Sequence, residues 1–397
     1  MNFENDVVVV GGCGHVGLPL AIILASKELK VIAFDTNTQA VATVNSGKMP
    51  FDEPGALEVL TEALRAKLFS ASSDKTLVST AEHVIVVIGT PVDEHLNPDP
   101  EVVPNVVAQL LDVLIDGQHL VLRSTVYPGV TKLVEKVIAV SGKKIDVSFC
   151  PERIAEGKAV EELIALPQIV SARTSRAVNR AKDLFSNLTS NIIVVSPEEA
   201  ELAKLFTNTW RYIKFAAANQ LYTIANDFGV DFERVRHAII TDYPRAADMP
   251  GAGFAAGPCL FKDTMQLAAF NNNNFTLGHS SMMINEGLPL YLVSRIEKKY
   301  DLKKMTVGVL GMAFKAESDD IRSSLSYKLK RILKFKAQNV VCADALVSND
   351  YSLITEAELI DCSDLIVIGA PHKRYASMKI VKPIIDIWNI RNQGVLI

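Results

Sequence analysis

Cysteine is scarce in this chain, and the cysteines it has do not cluster. Five are scattered over 397 residues, with no Cys-x-x-Cys pair and an odd total. This pattern excludes a disulfide framework and a cysteine-based zinc site, because both need paired or closely spaced cysteines. We therefore expect reduced thiols, a cytoplasmic protein and no metal.

Long apolar runs and a strong charge of one sign are also missing. No apolar run approaches the roughly 18–20 residues of a membrane span, and the acidic N-terminus shows no signal peptide. The formal net charge of −4 gives no reason to expect nucleic acid or an anionic membrane as a partner. Apolar residues make up an ordinary 49%, and the length predicts about two to three domains.

A glycine-rich turn is the first strong motif. Gly12, Gly14 and Gly17 form G-x-G-x-x-G between a β-branched strand and an apolar helix. A second strand ends at Asp35, 18 residues beyond Gly17. Together these elements predict a dinucleotide-binding Rossmann unit, in which the pyrophosphate lies against backbone N–H groups at the helix N-terminus. A glycine turn without a ligand is the alternative.

The end of that second strand favours NAD over NADP. Asp35 can accept hydrogen bonds from the ribose hydroxyls, and its charge would repel a 2′-phosphate. Residues 36–38, Thr-Asn-Thr, include no arginine that could receive such a phosphate. We therefore predict NAD as the cofactor.

Polar side chains follow three further predicted strands of this unit. Thr90 and Thr125 come shortly after two apolar strands, and Glu152 and Glu156 follow the next one. Ligands of doubly wound sheets bind beyond the carboxyl ends of the strands, so these side chains lie at the edge where a ligand is expected. The two glutamates are either general acid–base groups or members of an ordinary solvated loop.

A long helix is predicted next. Ser196 fits an N-cap, because proline follows it and Glu199 lies three residues on, and nothing breaks the helix before Gly229. Roughly 30 residues give a length of about 45–50 Å, enough to span a domain boundary or an interface. Lys204 and Asn208 are four residues apart and share a face. They are either surface residues or an ammonium and an amide donor near developing negative charge.

Residues 251–263 form an unusual stretch that is rich in glycine and alanine and contains Cys259. Small residues let the backbone approach a ligand closely, and a thiol near a cation can ionise to the nucleophilic thiolate. If a helix follows Cys259, then Asp263 lies on the same face. The alternative is a buried structural cysteine in a packing turn.

The last part of the chain repeats the first. Val307–Gly311 and Asn339–Ala343 are predicted strands, and Leu365–Pro371 repeats the pattern of an earlier apolar strand and turn. This second α/β unit lacks G-x-G-x-x-G, so we expect it to hold a different phosphate ligand. Lys315 and Arg322 follow its first strand, where cations could meet phosphate.

With these pieces together, the chain resembles the UDP-sugar 6-dehydrogenases, the family of UDP-glucose dehydrogenase and its N-acetylhexosamine relatives, over essentially its whole length. The resemblance rests on motifs that occur in one order and are far more specific together than singly. They are Gly12-x-Gly14-x-x-Gly17, Gly89-Thr-Pro91, Ser124-Thr125, Pro151-Glu152-Arg153, Glu201-Leu-Ala-Lys204-x-x-x-Asn208, Gly257-Pro-Cys259-Leu-Phe-Lys262-Asp263 and Ala313-Phe-Lys315…Asp320-Ile-Arg322.

The resemblance implies an α/β fold with two Rossmann-like doubly wound domains, joined by a long central helix and a helical dimerisation region. It places an NAD-binding domain at residues 1–195, a central dimerisation and catalytic domain at 196–300, and a UDP-sugar-binding domain at 301–397. It also implies a homodimer or higher homo-oligomer. The implied reaction is a four-electron oxidation of the sugar C6 alcohol to a carboxylate with two NAD.

The resemblance also implies roles for single residues. Cys259 would be the nucleophile, which holds the aldehyde as a thiohemiacetal that a second hydride transfer turns into a thioester. Lys204 would stabilise or deprotonate the C6 oxygen, assisted by Asn208, while Asp263 and Thr125 would activate water for hydrolysis. The further catalytic candidates are Glu152 and Glu156. Cofactor contacts are implied for Gly12, Gly14, His15, Val16, Gly17, Asp35, Thr90, Thr125, Glu156, Lys262 and Arg322. Substrate contacts are implied for Glu152, Lys204, Asn208, Arg245, Phe254, Gly257, Cys259, Phe314 and Lys315, with Arg245 reaching the neighbouring subunit's site.

The sequence departs from the family pattern at two places and is mixed in its substrate signals. Ala255-Ala256 stands where the family more often has glycines, and Asn219-Gln220 stands where many members have Asn-Glu. The Tyr-Pro-Arg245 context is closer to the UDP-N-acetylhexosamine branch, whereas the run from Lys262 to Leu267 is closer to the UDP-glucose branch. UDP-glucose is the predicted substrate, with UDP-N-acetylglucosamine or UDP-N-acetylmannosamine as the alternative.

Two other functions compete with this interpretation. A two-electron β-hydroxyacid dehydrogenase also joins a Rossmann domain to a helical domain with a catalytic lysine, but it has no use for Cys259 or for a second α/β unit. A catalytically silent NAD-binding protein is the other, although every proposed catalytic position is filled.

Overall fold

The computed structural model describes residues 3–90, 92, 93, 95 and 97–397, so Pro91 of the Gly-Thr-Pro motif lies outside the described residues. The chain forms two compact units, Met1–Phe206 and Thr207–Ile397, called here the N-terminal and the C-terminal unit. The division between them falls inside a single long helix, α8.

The N-terminal unit alternates strands and helices. Its strands are β1 (Asn5–Val10), β2 (Val31–Phe34), β3 (Phe69–Ser72), β4 (Ala81–Val86), β5 (His119–Leu122), β6 (Asp146–Phe149), β7 (Gln168–Ala172) and β8 (Ile192–Val195). Its helices are α1 (Gly17–Ala25), α2 (Thr38–Asn45), α3 (Ala56–Arg65), α4 (Val102–Leu110), α5 (Val130–Ser141), α6 (Ala159–Ala165) and α7 (Ser175–Ser186), and α8 (Pro197–Phe228) begins in it.

The sheet of this unit runs in the order β3-β2-β1-β4-β5-β6-β7-β8, and every neighbouring pair is parallel except β6 with β7. The order reverses between β1 and β4, which makes a topological switch point. The last four residues of β1 are buried valines, and α1 is buried along its whole length, as expected for a parallel sheet covered on both faces. The loops after β1, β4, β5 and β6 therefore emerge at one edge, and these loops carry the predicted ligand-binding residues.

The C-terminal unit contains the rest of α8 and a smaller sheet. Its helices are α9 (Phe232–Ile240), α10 (Leu260–Phe270), α11 (Thr276–Glu297), α12 (Leu325–Lys334) and α13 (Glu356–Cys362), and its strands are β9 (Thr306–Leu310), β10 (Asn339–Ala343), β11 (Leu365–Ile368) and β12 (Ile384–Ile385). The strands are parallel in the order β10-β9-β11-β12. A second switch point lies between β9 and β11.

The predicted α/β fold, with two parallel sheets and a long helix, is confirmed. The start of α8 also follows the sequence pattern, because Ser196 and Glu199 form reciprocal hydrogen bonds between side chain and backbone. The helix ends at Phe228, where Gly229 adopts φ of +84° and terminates it. Among the described residues, no helix combines the length and apolarity needed to cross a membrane.

Candidate active-site residues

The three glycines of the G-x-G-x-x-G motif after β1 are needed for different reasons. A Cβ on Gly12 would lie 2.6 Å from the carbonyl oxygen of Val9, and a Cβ on Gly17 would collide with the backbone of Gly11, so neither position tolerates a side chain. Gly14 is exposed, and a Cβ there would meet nothing closer than 3.7 Å. Gly12 therefore lets the turn pack against β1 and β2, Gly17 lets α1 start close to the turn, and Gly14 leaves backbone open at the N-terminus of α1.

Asp35 is tied into the same turn. Its Oδ2 accepts a hydrogen bond from the backbone N–H of Cys13 at 3.0 Å, and its Oδ1 accepts one from Asn37 N–H at 2.9 Å. Burial and the Asp35 carboxylate raise the pKa of the Cys13 thiol to about 12, which keeps this cysteine unreactive. His15, the next predicted contact, stacks on Phe51 with ring centroids 4.1 Å apart. An open glycine backbone at a helix N-terminus beside a half-exposed acid fits NAD.

The loops after β4 and β5 are joined by hydrogen bonds. The Thr90 hydroxyl donates to the carbonyl oxygen of Thr125 at 2.6 Å, and the Ser124 hydroxyl accepts from the N–H of Ile88 at 2.7 Å. The Ser-Thr and Gly-Thr motifs are thus one local structure at the carboxyl edge of the sheet. Val16 lies on the same edge, immediately before α1.

Glu152 is buried, with 6% of its surface exposed, and is held by several donors. It forms an ion pair with Arg123, and its Oε1 accepts from the backbone N–H of Arg153 at 2.6 Å and of Ile154 at 3.0 Å. A solvated loop, one of the two alternatives, does not describe this residue. Glu156, four residues on, is half-buried.

Arg123 is a structural residue to which sequence reasoning assigned no role. It is 1% exposed, donates to the carbonyl oxygen of Cys150 and to Gln168 Oε1, each at 3.0 Å, and lies over the Phe185 ring. A buried guanidinium needs such partners, because an unpaired charge in the core is costly. Arg123 therefore fixes the carboxylate of Glu152 at the end of β6.

The first turns of α8 carry a buried carboxylate, Glu201, to which sequence reasoning assigned no role. Glu201, 1% exposed, accepts hydrogen bonds from Gly129 N–H at 2.6 Å, from Thr131 N–H at 2.8 Å and from the Thr131 hydroxyl at 2.6 Å. These donors lie at the N-terminus of α5, where an anion is favoured. The contact fixes α8 one turn before Lys204, which is half-buried.

Asn208 and Asp263 are brought together in the C-terminal unit. The amide Nδ2 of Asn208 donates to Oδ2 of Asp263 at 2.5 Å, and both residues are buried. Lys262 Nζ lies 3.2 Å from the other carboxylate oxygen, Oδ1. Cys259 is the N-cap residue of α10 and is exposed, and its carbonyl oxygen accepts from Asp263 N–H at 2.9 Å. The predicted helix after Cys259 therefore exists, and Asp263 lies one turn into it.

The stretch that leads to Cys259 is anchored to α8 by Asn219. This buried side chain donates to the carbonyl oxygen of Gly253 at 2.9 Å and accepts from the Gly253 N–H at 2.9 Å. It also donates to Asn285 Oδ1 at 2.9 Å. Gln220, where the sequence departs from the family pattern, is exposed, and within the part of the chain that the structure describes its side chain bonds only to Thr223. Ala255, part of the other departure from the family pattern, is 4% exposed.

Gly257 meets the loop that follows β9. Its φ of +98° is in the left-handed region, and a Cβ there would lie 2.5 Å from the Phe314 ring. Lys315 Nζ lies 5.5 Å from the centroid of the same ring. The predicted substrate residues Gly257, Phe314 and Lys315 are therefore neighbours.

The three remaining predicted contact residues, Phe254, Arg245 and Arg322, each have different surroundings. Phe254 is 5% exposed and packs edge-on against Trp388, so its ring belongs to the core. Arg245 is exposed and lies over the Tyr243 ring. Arg322 forms a two-pronged ion pair with Asp320, with Nε and Nη2 at 2.9 Å and 2.6 Å from Oδ2.

Three domain profiles of one family together match most of the chain. The NAD-binding domain profile of the UDP-glucose/GDP-mannose dehydrogenase family matches residues 6–189, the central domain profile matches 198–286, and the UDP-binding domain profile matches 308–393. The chain belongs to this family. The family resemblance and the NAD cofactor predicted from the sequence are thereby confirmed, and the protein is an NAD-dependent UDP-sugar dehydrogenase.

Relatives and solved structures agree with this assignment. A UDP-N-acetyl-D-mannosamine dehydrogenase of Methanococcus maripaludis is 28% identical over 389 residues, which cover 95% of this chain and 89% of the relative. The structure of the UDP-D-ManNAc dehydrogenase of Pyrococcus horikoshii has a TM-score of 0.89 at 26% identity and covers 97% of this chain and 96% of its own. A UDP-glucose dehydrogenase of Pyrobaculum islandicum has a TM-score of 0.88 at 26% identity, with coverage of 96% and 94%.

Proposed function

We propose that this dehydrogenase oxidises the C6 alcohol of UDP-N-acetyl-D-mannosamine to the carboxylate through a covalent intermediate on Cys259. The exposed Cys259 beside the buried Asp263–Asn208 pair supports the four-electron chemistry. The choice of sugar rests on the relatives, whose names favour this alternative over the UDP-glucose predicted first.

The environments of the cysteines support Cys259 as the nucleophile. Burial raises the pKa of the Cys150 thiol to about 12 and that of the Cys342 thiol to about 11, and Cys13 is equally protected. The remaining exposed thiol, Cys362, lies at the C-terminal end of α13. Cys259 instead begins a helix, where the N-terminal end of the helix dipole favours a thiolate.

The chemistry requires a thiol, because an alcohol becomes a carboxylate without release of the aldehyde. Two NAD molecules, bound one after the other, would each accept one hydride. Between the two oxidations, the Cys259 sulfur adds to the aldehyde carbon and gives a thiohemiacetal, whose oxidation leaves a thioester. Water then cleaves the carbon–sulfur bond, which releases the carboxylate and restores the thiol, with one oxygen in the product derived from water.

Asp263 and Asn208 are proposed to act on that water. The Asp263 carboxylate is 0% exposed; its Oδ2 accepts the hydrogen bond of Asn208, and the Lys262 ammonium forms an ion pair with its Oδ1. Asp263 is proposed to accept a proton from water as the water attacks the thioester. Thr125 and Glu156 are proposed to orient the water. Lys204, one helical turn before Asn208, is proposed to stabilise or deprotonate the C6 oxygen.

The remaining roles follow the three segments predicted from the sequence. We assign NAD binding to residues 1–195, dimerisation and catalysis to 196–300, and UDP-sugar binding to 301–397. Phe314 and Lys315 are proposed to contact the nucleotide sugar, together with the backbone at Gly257. The further substrate positions are Glu152, Arg245 and Phe254, and the further cofactor positions are Thr90, Lys262 and Arg322.

An exposed apolar stripe supports the proposal of a homodimer. Trp210, Leu221, Ile224 and Phe228 lie at helical spacing along one face of α8, and Phe228 is 82% exposed while Trp210 is 59% exposed. Large apolar side chains exposed along one face of a helix are typical of interaction sites. The molar mass of the protein by light scattering tests it, and a monomer would refute it.

The test of the proposed function counts NADH formed per sugar consumed. Purified enzyme is assayed with UDP-N-acetyl-D-mannosamine, UDP-N-acetylglucosamine, UDP-glucose and a UDP-galactose derivative. We expect two NADH per UDP-N-acetyl-D-mannosamine and a carboxylate product that carries one oxygen from H₂¹⁸O. One NADH per sugar would indicate a two-electron enzyme, and no NADH with any UDP-hexose would refute the proposal.

UDP-glucose is the second candidate substrate. The structural similarity to the Pyrobaculum islandicum enzyme, with a TM-score of 0.88, is almost equal to that of the first structure. A kcat/KM for UDP-glucose above that for the N-acetylated sugars would favour this candidate.

A further inference from the structure

A buried histidine–aspartate pair holds the loop that follows β9. Asp344, the first residue after β10, accepts hydrogen bonds at Oδ2 from the backbone N–H of Met312 at 2.7 Å and of Ala313 at 3.0 Å. His372 Nε2 lies 3.1 Å from the same oxygen. The side chains of Asp344 and His372 are 0% and 1% exposed. The start of the loop is therefore fixed from inside the unit.

The opposite face of the same imidazole fixes the far end of the loop. His372 Nδ1 accepts the backbone N–H of Glu317 at 2.9 Å, and Glu317 Oε1 accepts the N–H of Lys373 at 2.8 Å. Because Nδ1 faces a donor, it carries a lone pair, so the proton is on Nε2 and is donated to Asp344. The two ring nitrogens thus connect the two ends of residues 312–317.

Asp344 of the second sheet stands at the position equivalent to Asp35 of the first sheet. Asp35 follows β2 and Asp344 follows β10. Each accepts through Oδ2 from the backbone of the loop after the adjacent strand, β1 or β9, and through Oδ1 from the N–H two residues on. Asp35 is half-exposed, as a ribose ligand must be, whereas His372 covers Asp344. Asp344 therefore supports the loop after β9 from inside the unit and is not a ligand group.

We propose that His372 is a positioning residue for nucleotide-sugar binding, which acts by holding the 312–317 loop in place. The proposal rests on the proposed function, in which Phe314 and Lys315 of this loop contact the substrate. Phe314 lies against Gly257, so an unfixed loop would also lose its contact with the stretch that carries Cys259. The His372 side chain contacts the loop, Asp344 and the Tyr375 ring, and it is not itself assigned to the substrate.

The test measures UDP binding by calorimetry and steady-state kinetics in His372→Leu, which removes both hydrogen bonds. We expect the Kd for UDP and the KM for the UDP-sugar to rise about tenfold or more, because ordering the loop must then be driven by binding. The KM for NAD should not change. The matched control is His119→Leu, which removes a buried histidine from the N-terminal unit and should lower stability without raising the Kd for UDP.

Two further variants keep the test usable if the His372→Leu protein fails to fold. His372→Gln keeps a donor near the Nε2 position and His372→Asn keeps an acceptor near the Nδ1 position, so each should show part of the rise in Kd. An unchanged Kd in every folded His372 variant overturns the inference.

The variant Lys315→Ala distinguishes an error in the positioning role of His372 from an error in the proposed function. If Lys315→Ala raises the Kd for UDP and the His372 variants do not, only the positioning role is wrong. If none of the variants changes the Kd, the assignment of the 312–317 loop to substrate binding is wrong as well.

Discussion

Asn208 donates a hydrogen bond to the carboxylate of Asp263 at 2.5 Å, and through it α8 meets α10 inside the C-terminal unit. The two residues are 5% and 0% exposed. A carboxylate in such surroundings stays ionised only if donors replace the water it has lost. The amide of Asn208 is therefore an electrostatic component of the candidate water-activating group as well as a packing residue.

Replacing Asn208 by Asp tests that relationship. Two buried carboxylates in contact cannot both be ionised near neutral pH, so one will hold a proton and the pair will titrate together. We expect kcat to fall about 100-fold and the rising limb of its pH profile to move to higher pH. Gln220→Glu, which adds the same charge at an exposed position of α8, is the control and should behave as wild type. A wild-type pH profile in Asn208→Asp would contradict the proposed role of Asp263.

Removal of the Cys259 thiol should uncouple the two oxidations. Cys259→Ala cannot form the thioester, so we expect loss of steady-state turnover of the UDP-sugar by about 1,000-fold or more. Mass spectrometry of the wild-type protein quenched during turnover should detect a sugar adduct on Cys259. Cys362→Ala removes the other exposed cysteine and should retain full activity. Full activity in Cys259→Ala would eliminate covalent catalysis by this residue.

Gly257 should be required for substrate binding and not merely for backbone conformation. Gly257→Ala places a Cβ 2.5 Å from the Phe314 ring at φ of +98°. Gly129→Ala imposes nearly the same φ, +99°, with nothing within 4 Å of the new atom. Both variants should lose roughly 1–2 kcal/mol of stability from strain, but only Gly257→Ala should raise the KM for the UDP-sugar. An equal KM in both variants would show that contact with Phe314 has no part in binding.

The cofactor preference should depend on Asp35. In Asp35→Asn the repulsion of a 2′-phosphate disappears, and we expect the KM for NAD to rise about tenfold while use of NADP becomes measurable. Glu58→Gln, an equal change of charge at an exposed position of α3, should alter neither parameter. Initial rates with each cofactor decide the matter, and an unchanged ratio of kcat/KM values would refute the assignment.

Acid should destabilise the N-terminal unit through two buried histidines on adjacent strands. The Nδ1 atoms of His83 and His119 are 3.0 Å apart, and His119 Nε2 lies 2.8 Å from the Ser148 hydroxyl. Burial lowers the pKa of His83 to about 4, and burial together with His83 lowers the pKa of His119. The folded state thus resists protonation that the unfolded chain accepts below pH 6.5.

The sign of the effect follows from these lowered pKa values. The free energy of unfolding should be highest above about pH 6.5 and should decrease as the pH drops toward 4. His83 alone should account for a decrease on the order of 3 kcal/mol over that range. Thermal unfolding followed between pH 8 and pH 5 should show this decline, and the double variant His83→Gln, His119→Gln should flatten it. Replacement of the exposed His237 by Gln should leave the slope as it is. A slope equal in wild type and double variant would exclude the pair as its source.

Elements with a local signature could be predicted from the sequence. The turn at Gly12, Gly14 and Gly17 has steric requirements that only glycine meets, and the start and end of α8 are marked by Ser196 and Gly229. Burial on both faces made the strands β1, β4 and β11 recognisable as apolar runs. The position of Glu152, by contrast, depended on Arg123, which lies 29 residues away and offers no local pattern.

The sequence by itself determined the nucleotide-binding fold, the NAD cofactor and the presence of a cysteine after a small-residue stretch, because each depends on the spacing of neighbouring residues. Only the tertiary structure decided which thiols are buried and which carboxylates are held by donors. Asn208 with Asp263, Asn219 with Gly253 and Asp344 with His372 are 55, 34 and 28 residues apart. Such pairs form when packing brings distant elements together, and the resulting loss of water, not the residue type, sets their chemistry.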